Sequence, residues 1–185
     1  MQRLLPTSTA LLVVDVQERL GPAMEPQSYA RLLRSLDVLL SAAQLLEVAT
    51  AATEQYPKGL GETVAPVRTL LEGLHVERIA KTAFSACDAP EVARWLGRVA
   101  PRAIVVCGVE AHVCVFQTVR ELAARGLDVH VPHDAVASRR DDDKQIALEL
   151  MRRAGATITT SETVVFDWLQ KAEGDAFKAL SKKIR

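Results

Sequence analysis

The chain predicts an α/β fold, a parallel sheet with helices on both faces. Short continuous apolar runs, such as residues 10–14 and 103–106, alternate with longer segments whose apolar residues recur at helical spacing. The runs are too short for buried helices and too continuous for strands wet on one side. No internal repeat, low-complexity tract or linker interrupts the alternation over 185 residues, so residues 1–185 read as one domain.

In chain order, residues 10–14 (Ala-Leu-Leu-Val-Val) form the first strand, with Asp15 directly after it. Gly21-Pro22 and Pro26 mark a loop. Tyr29, Leu32, Leu33, Leu36, Leu39, Leu40 and Leu46 then define an amphipathic helix over about 28–46. Residues 48–53 give a weaker second strand that runs into a polar loop, 54–61, with both turn-formers. The Gly-x-Gly inside that loop lacks the rest of a dinucleotide fingerprint. Thr63 is placed to cap a short helix through Leu71, stopped by Gly73. Residues 75–80 read as the third strand, with Lys81 at its end, and 90–97 as a helix. The fourth strand, 103–106, is expected to break at Gly108. A helix then carries Val115, Val119 and Leu122 on one face and stops at Gly126. Residues 127–131 are a fifth strand and 141–151 a helix with three acids in its first turn, favourable to its dipole. Residues 157–159 are the last strand. Thr160 or Ser161 caps a helix through Leu169, and a basic helix over 175–185 presents Phe177, Leu180 and Ile184 to the body or to another subunit.

Composition excludes several classes. Apolar residues make up 49%, too many for a disordered chain, and the formal net charge of +0 leaves no footprint for nucleic acid or an anionic membrane. The three cysteines, Cys87, Cys107 and Cys114, are odd in number and two lie in apolar runs, against a secreted disulfide framework. No apolar stretch has signal-peptide or bilayer-spanning length. The expectation is a cytoplasmic protein.

Chemistry-bearing residues gather just past the expected strand ends, where ligands bind in such sheets. Cys114 sits in or near the first helical turn after the fourth strand. There, free N–H groups and the positive end of the dipole would ease thiol ionisation and could hold an oxyanion. A buried, inert cysteine is the competing reading. Asp15 is either a turn cap or a base in a cleft. Lys81 alone reads as solvated surface. Together, an acid, an ammonium and a thiol make a hydrolytic constellation: Lys81 would stabilise the thiolate, and Asp15 would take the thiol proton and return it to a leaving amine. His130 and His133 flank a strand end without completing a ligand cluster and read as structural. His112, two residues before Cys114, either lines a pocket mouth or caps the helix.

Four segments carry a resemblance to a known family: Leu11-Leu12-Val13-Val14-Asp15-Val16-Gln17, Thr53-Glu54-Gln55-Tyr56-Pro57-Lys58-Gly59-Leu60-Gly61, Lys81-Thr82-Ala83-Phe84-Ser85, and Cys107-Gly108-Val109-Glu110-Ala111-His112-Val113-Cys114-Val115. A fifth, from Met151 to Glu162, joins them. The chain resembles the isochorismatase-like cysteine hydrolases over nearly its whole length, and within them the isochorismatase domain-containing proteins. The resemblance implies a three-layer α/β/α sandwich with a six-stranded parallel sheet, Rossmann-like, and an Asp15–Lys81–Cys114 triad. It also implies a non-proline cis peptide at Val109–Glu110, with the amides of Glu110 and Cys114 as the oxyanion hole. Gln17, Gln55, Tyr56, Phe84, Val109 and His112 are the residues expected around the substrate pocket, and Cys87 stands where relatives carry a bulkier apolar residue. Nicotinamidase-type members hold a metal with an Asp and histidines after the second strand. Here that region is Glu54-Gln55-Tyr56-Pro57, so neither a metal nor another cofactor is expected. True isochorismatases cleave a vinyl ether and need no cysteine. The expected activity is therefore hydrolysis of a small amide or related C–N bond through a Cys114 thioester, by a homo-oligomer with a small-molecule substrate. The alternatives are a family member without turnover that serves as a binding or scaffold protein and, ranked last for want of a Cys-x-x-Cys pair, a thiol redox protein.

Overall fold

The computed structural model describes residues 3–184; Met1, Gln2 and Arg185, the ends of the expected domain and of its basic tail, lie outside it. The order of elements is β1 (Thr9–Val14), α1 (Pro26–Leu46), β2 (Ala49–Gln55), α2 (Pro57–Leu60), α3 (Ala65–Gly73), β3 (Arg78–Lys81) and α4 (Pro90–Val99). It continues through β4 (Ala103–Val109), a π-helical turn (Ala111–Val115), α5 (Phe116–Ala124), β5 (Asp128–Pro132), β6 (Val136–Ala137), α6 (Asp141–Arg153), β7 (Thr157–Thr159), α7 (Ser161–Leu169) and α8 (Gly174–Ile184).

The sheet runs β3-β2-β1-β4-β5-β7, with the two-residue β6 beside the end of β4. Every strand pair is parallel. The main path has the six expected strands, and β6 makes a seventh. Side chains alternate across it. Leu11, Val13, Val105 and Cys107 join α1, α3, α7 and α8 in one core; Leu12, Val14, Ile104 and Val106 join α4, α5 and α6 in the other. These are the two outer layers of an α/β/α sandwich.

Local chemistry explains the framing of α1. Pro26 begins it, and the Glu25 carboxylate accepts from the N–H groups of Gln27 (3.0 Å) and Ser28 (2.7 Å). Leu32, Leu36, Leu39, Leu40 and Ala43 fall on its sheet-facing side and are fully buried. Each such leucine contributes about 1.5–3 kcal/mol of burial. The tail helix α8 lies against α1 and α7: Leu180 is buried and Lys183 pairs with Asp37 at 2.9 Å. Leu180 and Ile184 of its apolar face thus pack on its own chain, while Phe177 is half-buried.

Three expectations are corrected. Gly108 does not break β4, which runs on to Val109. The glycine has φ +122°, and a Cβ there would lie 2.0 Å from the Val14 carbonyl oxygen. Its role is to let β1 and β4 approach where both end. Thr63 does not cap α3; Val64 holds that place without a side-chain bond. Thr63 is instead buried, its N–H and hydroxyl both 2.7 Å from Glu54 Oε1. The polar stretch 54–61 is not all loop: Glu54 and Gln55 complete β2, and Pro57 starts the short α2.

Candidate active site

The strand order reverses between β1 and β4, so the crevice of this sheet opens beyond their carboxyl ends. Asp15 is the first residue past β1. It is fully buried, with a left-handed backbone (φ 53°), and its N–H donates to the Thr53 carbonyl at 3.1 Å. Its Oδ1 accepts from Thr53 Oγ1 at 2.7 Å and its Oδ2 from Lys81 Nζ at 2.6 Å. Lys81 closes β3, and its ammonium also donates to Gln55 Oε1 (2.6 Å) and to the carbonyls of Ala83 and Phe84 (3.2 Å each). The ammonium is therefore not surface. A buried pair of this kind survives because its remaining hydrogen bonds are made, and removing one partner costs about 3–5 kcal/mol.

Cys114 lies in the π-helical turn between β4 and α5 and is almost buried, 7% exposed. The turn closes through Val115 N–H to the Glu110 carbonyl, 3.2 Å. Asp15 acts on the thiol as a negative charge and Lys81 as a positive one. Burial first, and then Asp15, push the Cys114 thiol up to about 12, and Lys81 offsets only part of this. This corrects the expectation of an easily ionised thiol. The helix-terminus argument omitted desolvation and the neighbouring carboxylate, which outweigh the dipole. At neutral pH the arrangement holds a protonated thiol beside a carboxylate that can accept its proton. Cys107 is fully enclosed in the core, its thiol raised by burial.

The Val109–Glu110 peptide is cis. The Glu110 carboxylate accepts from Arg139 Nε at 2.8 Å. His112 Nδ1 lies 3.0 Å from Ser138 Oγ, so the ring is tied to the segment after β6 and caps no helix.

The residues expected around the pocket divide. Gln55 touches Lys81 and, through Nε2, the Thr82 carbonyl at 2.7 Å. Tyr56 and Phe84 are about half exposed on the loops that follow β2 and β3. Tyr56, Lys81 and Ala83 line a cleft of about 490 Å³ that reaches Asp88 and Pro90. Two expectations are corrected. Gln17 is fully buried and its amide is spent on the backbone of Gln55 and Gly61; it braces the loop wall from behind. Val109 is fully buried in the core on the α1 side. Cys87 is buried, its Sγ 3.9 Å from the Thr118 carbonyl. His130 is buried with Nε2 3.2 Å from Asp128, and Asp134, next to His133, bonds Ser35 and Ser161. A larger cleft, about 820 Å³, opens at the start of β2 beside His75 and Trp95, away from the crevice.

Sequence reasoning missed Thr53, Thr118, Ser138 and Arg139. Thr118 had a legible signal, lying one helical turn after Cys114. Arg139 and Ser138 had none, because only β6 brings them to the end of β4. Among the described residues no group of three His, Cys, Asp or Glu side chains is arranged to hold a metal. At the end of β2, Glu54 is committed to Thr63 and Arg78, and Gln55 to Lys81.

Known proteins share this architecture and sequence. A family model described as the isochorismatase domain matches residues 9–163. The human isochorismatase domain-containing protein 2 is 40% identical over 186 residues, covering 99% of this chain and 86% of its own. The secreted isochorismatase effector Isc1 of Phytophthora sojae is 38% identical over 187 residues, covering 99% and 87%. The structure described as the MAR1 ribonuclease of Caenorhabditis elegans superposes with a TM-score of 0.89 at 38% identity, covering 99% of this chain and 92% of the other. With a matching domain over most of its length and relatives of this identity across nearly all of it, the chain belongs to the isochorismatase family and carries its hydrolase fold.

Proposed function

We propose that this protein is a cysteine hydrolase that cleaves a small amide or related C–N bond through a thioester on Cys114. The observation that carries the reading is the meeting of Asp15, Lys81 and Cys114 at three different strand ends, with Lys81 Nζ 2.6 Å from Asp15 and both charges acting on the buried thiol. In the resting site the thiol is neutral. As Sγ attacks the carbonyl carbon, its proton passes to Asp15. The oxyanion that forms is held by the N–H groups of Glu110 and Cys114. The tetrahedral adduct collapses, the C–N bond breaks, and the amine leaves with the proton from Asp15. Water, deprotonated by the same carboxylate, then attacks the thioester and releases the acid and the thiol. Lys81 holds Asp15 in place throughout. Gln55, Tyr56, Phe84 and His112 shape the surroundings of the reacting bond. No step calls for a metal or other cofactor.

The test is a screen of small amides, ureides and nicotinamide-like compounds with ammonia release as the readout, repeated with a chelator and with Cys114→Ala. Release that Cys114→Ala abolishes and the chelator spares is the expected result. RNA belongs in the same screen, because the C. elegans relative is described as a ribonuclease. RNA cleavage retained by Cys114→Ala, with no amide turned over by the parent, would overturn the reading. The cysteine content and the absence of a membrane-crossing helix among the described residues fit a cytoplasmic enzyme.

A further inference from the structure

The Thr118 side chain is fully buried on the first turn of α5, and its hydroxyl makes two hydrogen bonds in opposite directions. It donates to the Cys114 carbonyl at 2.7 Å and accepts from the Ala86 N–H at 2.9 Å. Ala86 opens the short 3₁₀ turn Ala86–Asp88, which follows directly on Ala83 and Phe84, whose carbonyls receive the Lys81 ammonium. The loop is stiffened by Ser85, whose Oγ accepts from the Cys87 N–H at 3.2 Å. A continuous path of hydrogen bonds and short chain thus runs from Asp15 to Lys81, through the loop 83–86, to Thr118, and back to the residue that carries the thiol. Elsewhere β3 and the π-helical turn are separated in the sheet by β2, β1 and β4. The hydroxyl is a direct link between the loop holding Lys81 and the turn holding Cys114.

We propose that Thr118 is a positioning residue, its hydroxyl holding the Cys114 turn in register with the Lys81 loop so that the thiol meets Asp15 and Lys81 together. The proposal rests on the reading of Cys114 as the nucleophile. Thr118 touches no reacting atom and acts only through the backbone of Cys114 and Ala86. Valine in its place keeps the shape but takes one donor from the Cys114 carbonyl and the acceptor from the Ala86 N–H. A displacement of the order of 1 Å at a nucleophile costs about a hundredfold in turnover.

Three variants separate hydroxyl from volume: Thr118→Val and Thr118→Ala lack the hydroxyl, and Thr118→Ser keeps it. The first readout needs no substrate. The rate of iodoacetamide alkylation of Cys114 is followed by mass spectrometry from pH 7 to 10 on the folded full-length chain, with circular dichroism to verify folding. Val and Ala should change that rate by about fivefold, one hydrogen bond's worth, and alter its pH profile; Ser should follow the parent. The second readout is kcat against KM on an amide found by the screen. The hydroxyl-free pair should lose about a hundredfold in kcat with KM nearly unchanged. Should valine fail to fold, alanine, which adds no atoms, carries the comparison. A parent-like profile in Val or Ala, or an effect that follows volume so that Ala and Ser group together, would overturn the proposal. The reading of the nucleophile fails separately, through activity retained by Cys114→Ala.

Discussion

A carboxylate and a thiol are buried together in the crevice, and burial of the thiol is the first reason that it stays protonated. Asp15 accepts hydrogen bonds from Thr53 and Lys81. The thiol is desolvated and faces the Asp15 charge, so it keeps the proton. Substituting Asp15→Asn removes the charge and the charged acceptor together, and both changes ease thiol ionisation. The expected outcome is a separation of two reactivities: faster alkylation of Cys114 at pH 8 than in the parent, with amide turnover reduced by orders of magnitude because the base is lost. Cys114→Ala should lose turnover to a similar extent. Slower alkylation in Asp15→Asn would show that the carboxylate is not what keeps the proton on the thiol. Asp15 and Cys114 were legible beside apolar runs, and Lys81 only in combination with them, since alone it reads as solvated surface. Their protonation was not, because desolvation depends on packing that no local pattern records.

At the scale of elements, the junction of β1 and β4 sets the geometry of the site. Val14 and Gly108 are register partners, one residue before Asp15 and two before Glu110. The left-handed φ of Gly108 and the 2.0 Å approach of a virtual Cβ to Val14 leave room for no side chain. Gly108→Ala should therefore cost more than about 3 kcal/mol or prevent folding, through overpacking and backbone strain combined. Urea denaturation gives the first and the soluble yield the second; a variant as stable as the parent would show that the strands can part without loss. The sequence marked Gly108 as special but assigned it the wrong task, a strand stop. A glycine demanded by a neighbouring strand looks the same in one dimension as a glycine that ends its own. The same limit explains Thr63, whose type and position suited a helix cap while the partner it satisfies, Glu54, sits on β2. Strand and helix periods were readable because each repeats within a few residues. Gln17, fully engaged behind the loop wall, was not readable as a brace, since its partners Gln55 and Gly61 lie some forty positions away.

On the scale of the whole molecule, two properties follow from how the layers close. The tail helix covers α1 with its own Leu180, so it is no free docking surface. Exposed apolar side chains remain on α6, where Ile146 and Leu150 lie one turn apart. On that face we expect association into a homodimer or larger assembly, seen by light scattering, and weakened by Ile146→Lys together with Leu150→Lys. A monomer at all concentrations would contradict it. The second property is a stability that falls in alkali. Cys87, Cys107 and Cys114 are all buried and free, and burial raises each above the ordinary thiol value near 9; burial also raises Tyr29. Below pH 9 these groups are protonated in the folded and the unfolded chain alike, and the fold keeps its full stability. Above it the unfolded chain releases protons that the fold retains, so each thiol removes about 1.4 kcal/mol per pH unit until its folded value is reached, about 12 for Cys114. Lys144 acts with the opposite sign, since burial lowers its value and the fold gains as the unfolded amine approaches its own. Three thiols outweigh one amine. The melting temperature should hold up to about pH 8.5 and then drop steadily to pH 10.5. Cys107 is the most enclosed of the three, its Sγ 3.5 Å from the Leu12 carbonyl between β1 and β4. Cys107→Ala should start from a lower melting temperature at pH 7, because a buried atom is lost, yet show a shallower alkaline decline. Parallel pH profiles for parent and variant would place the loss elsewhere and remove the buried thiols as its cause.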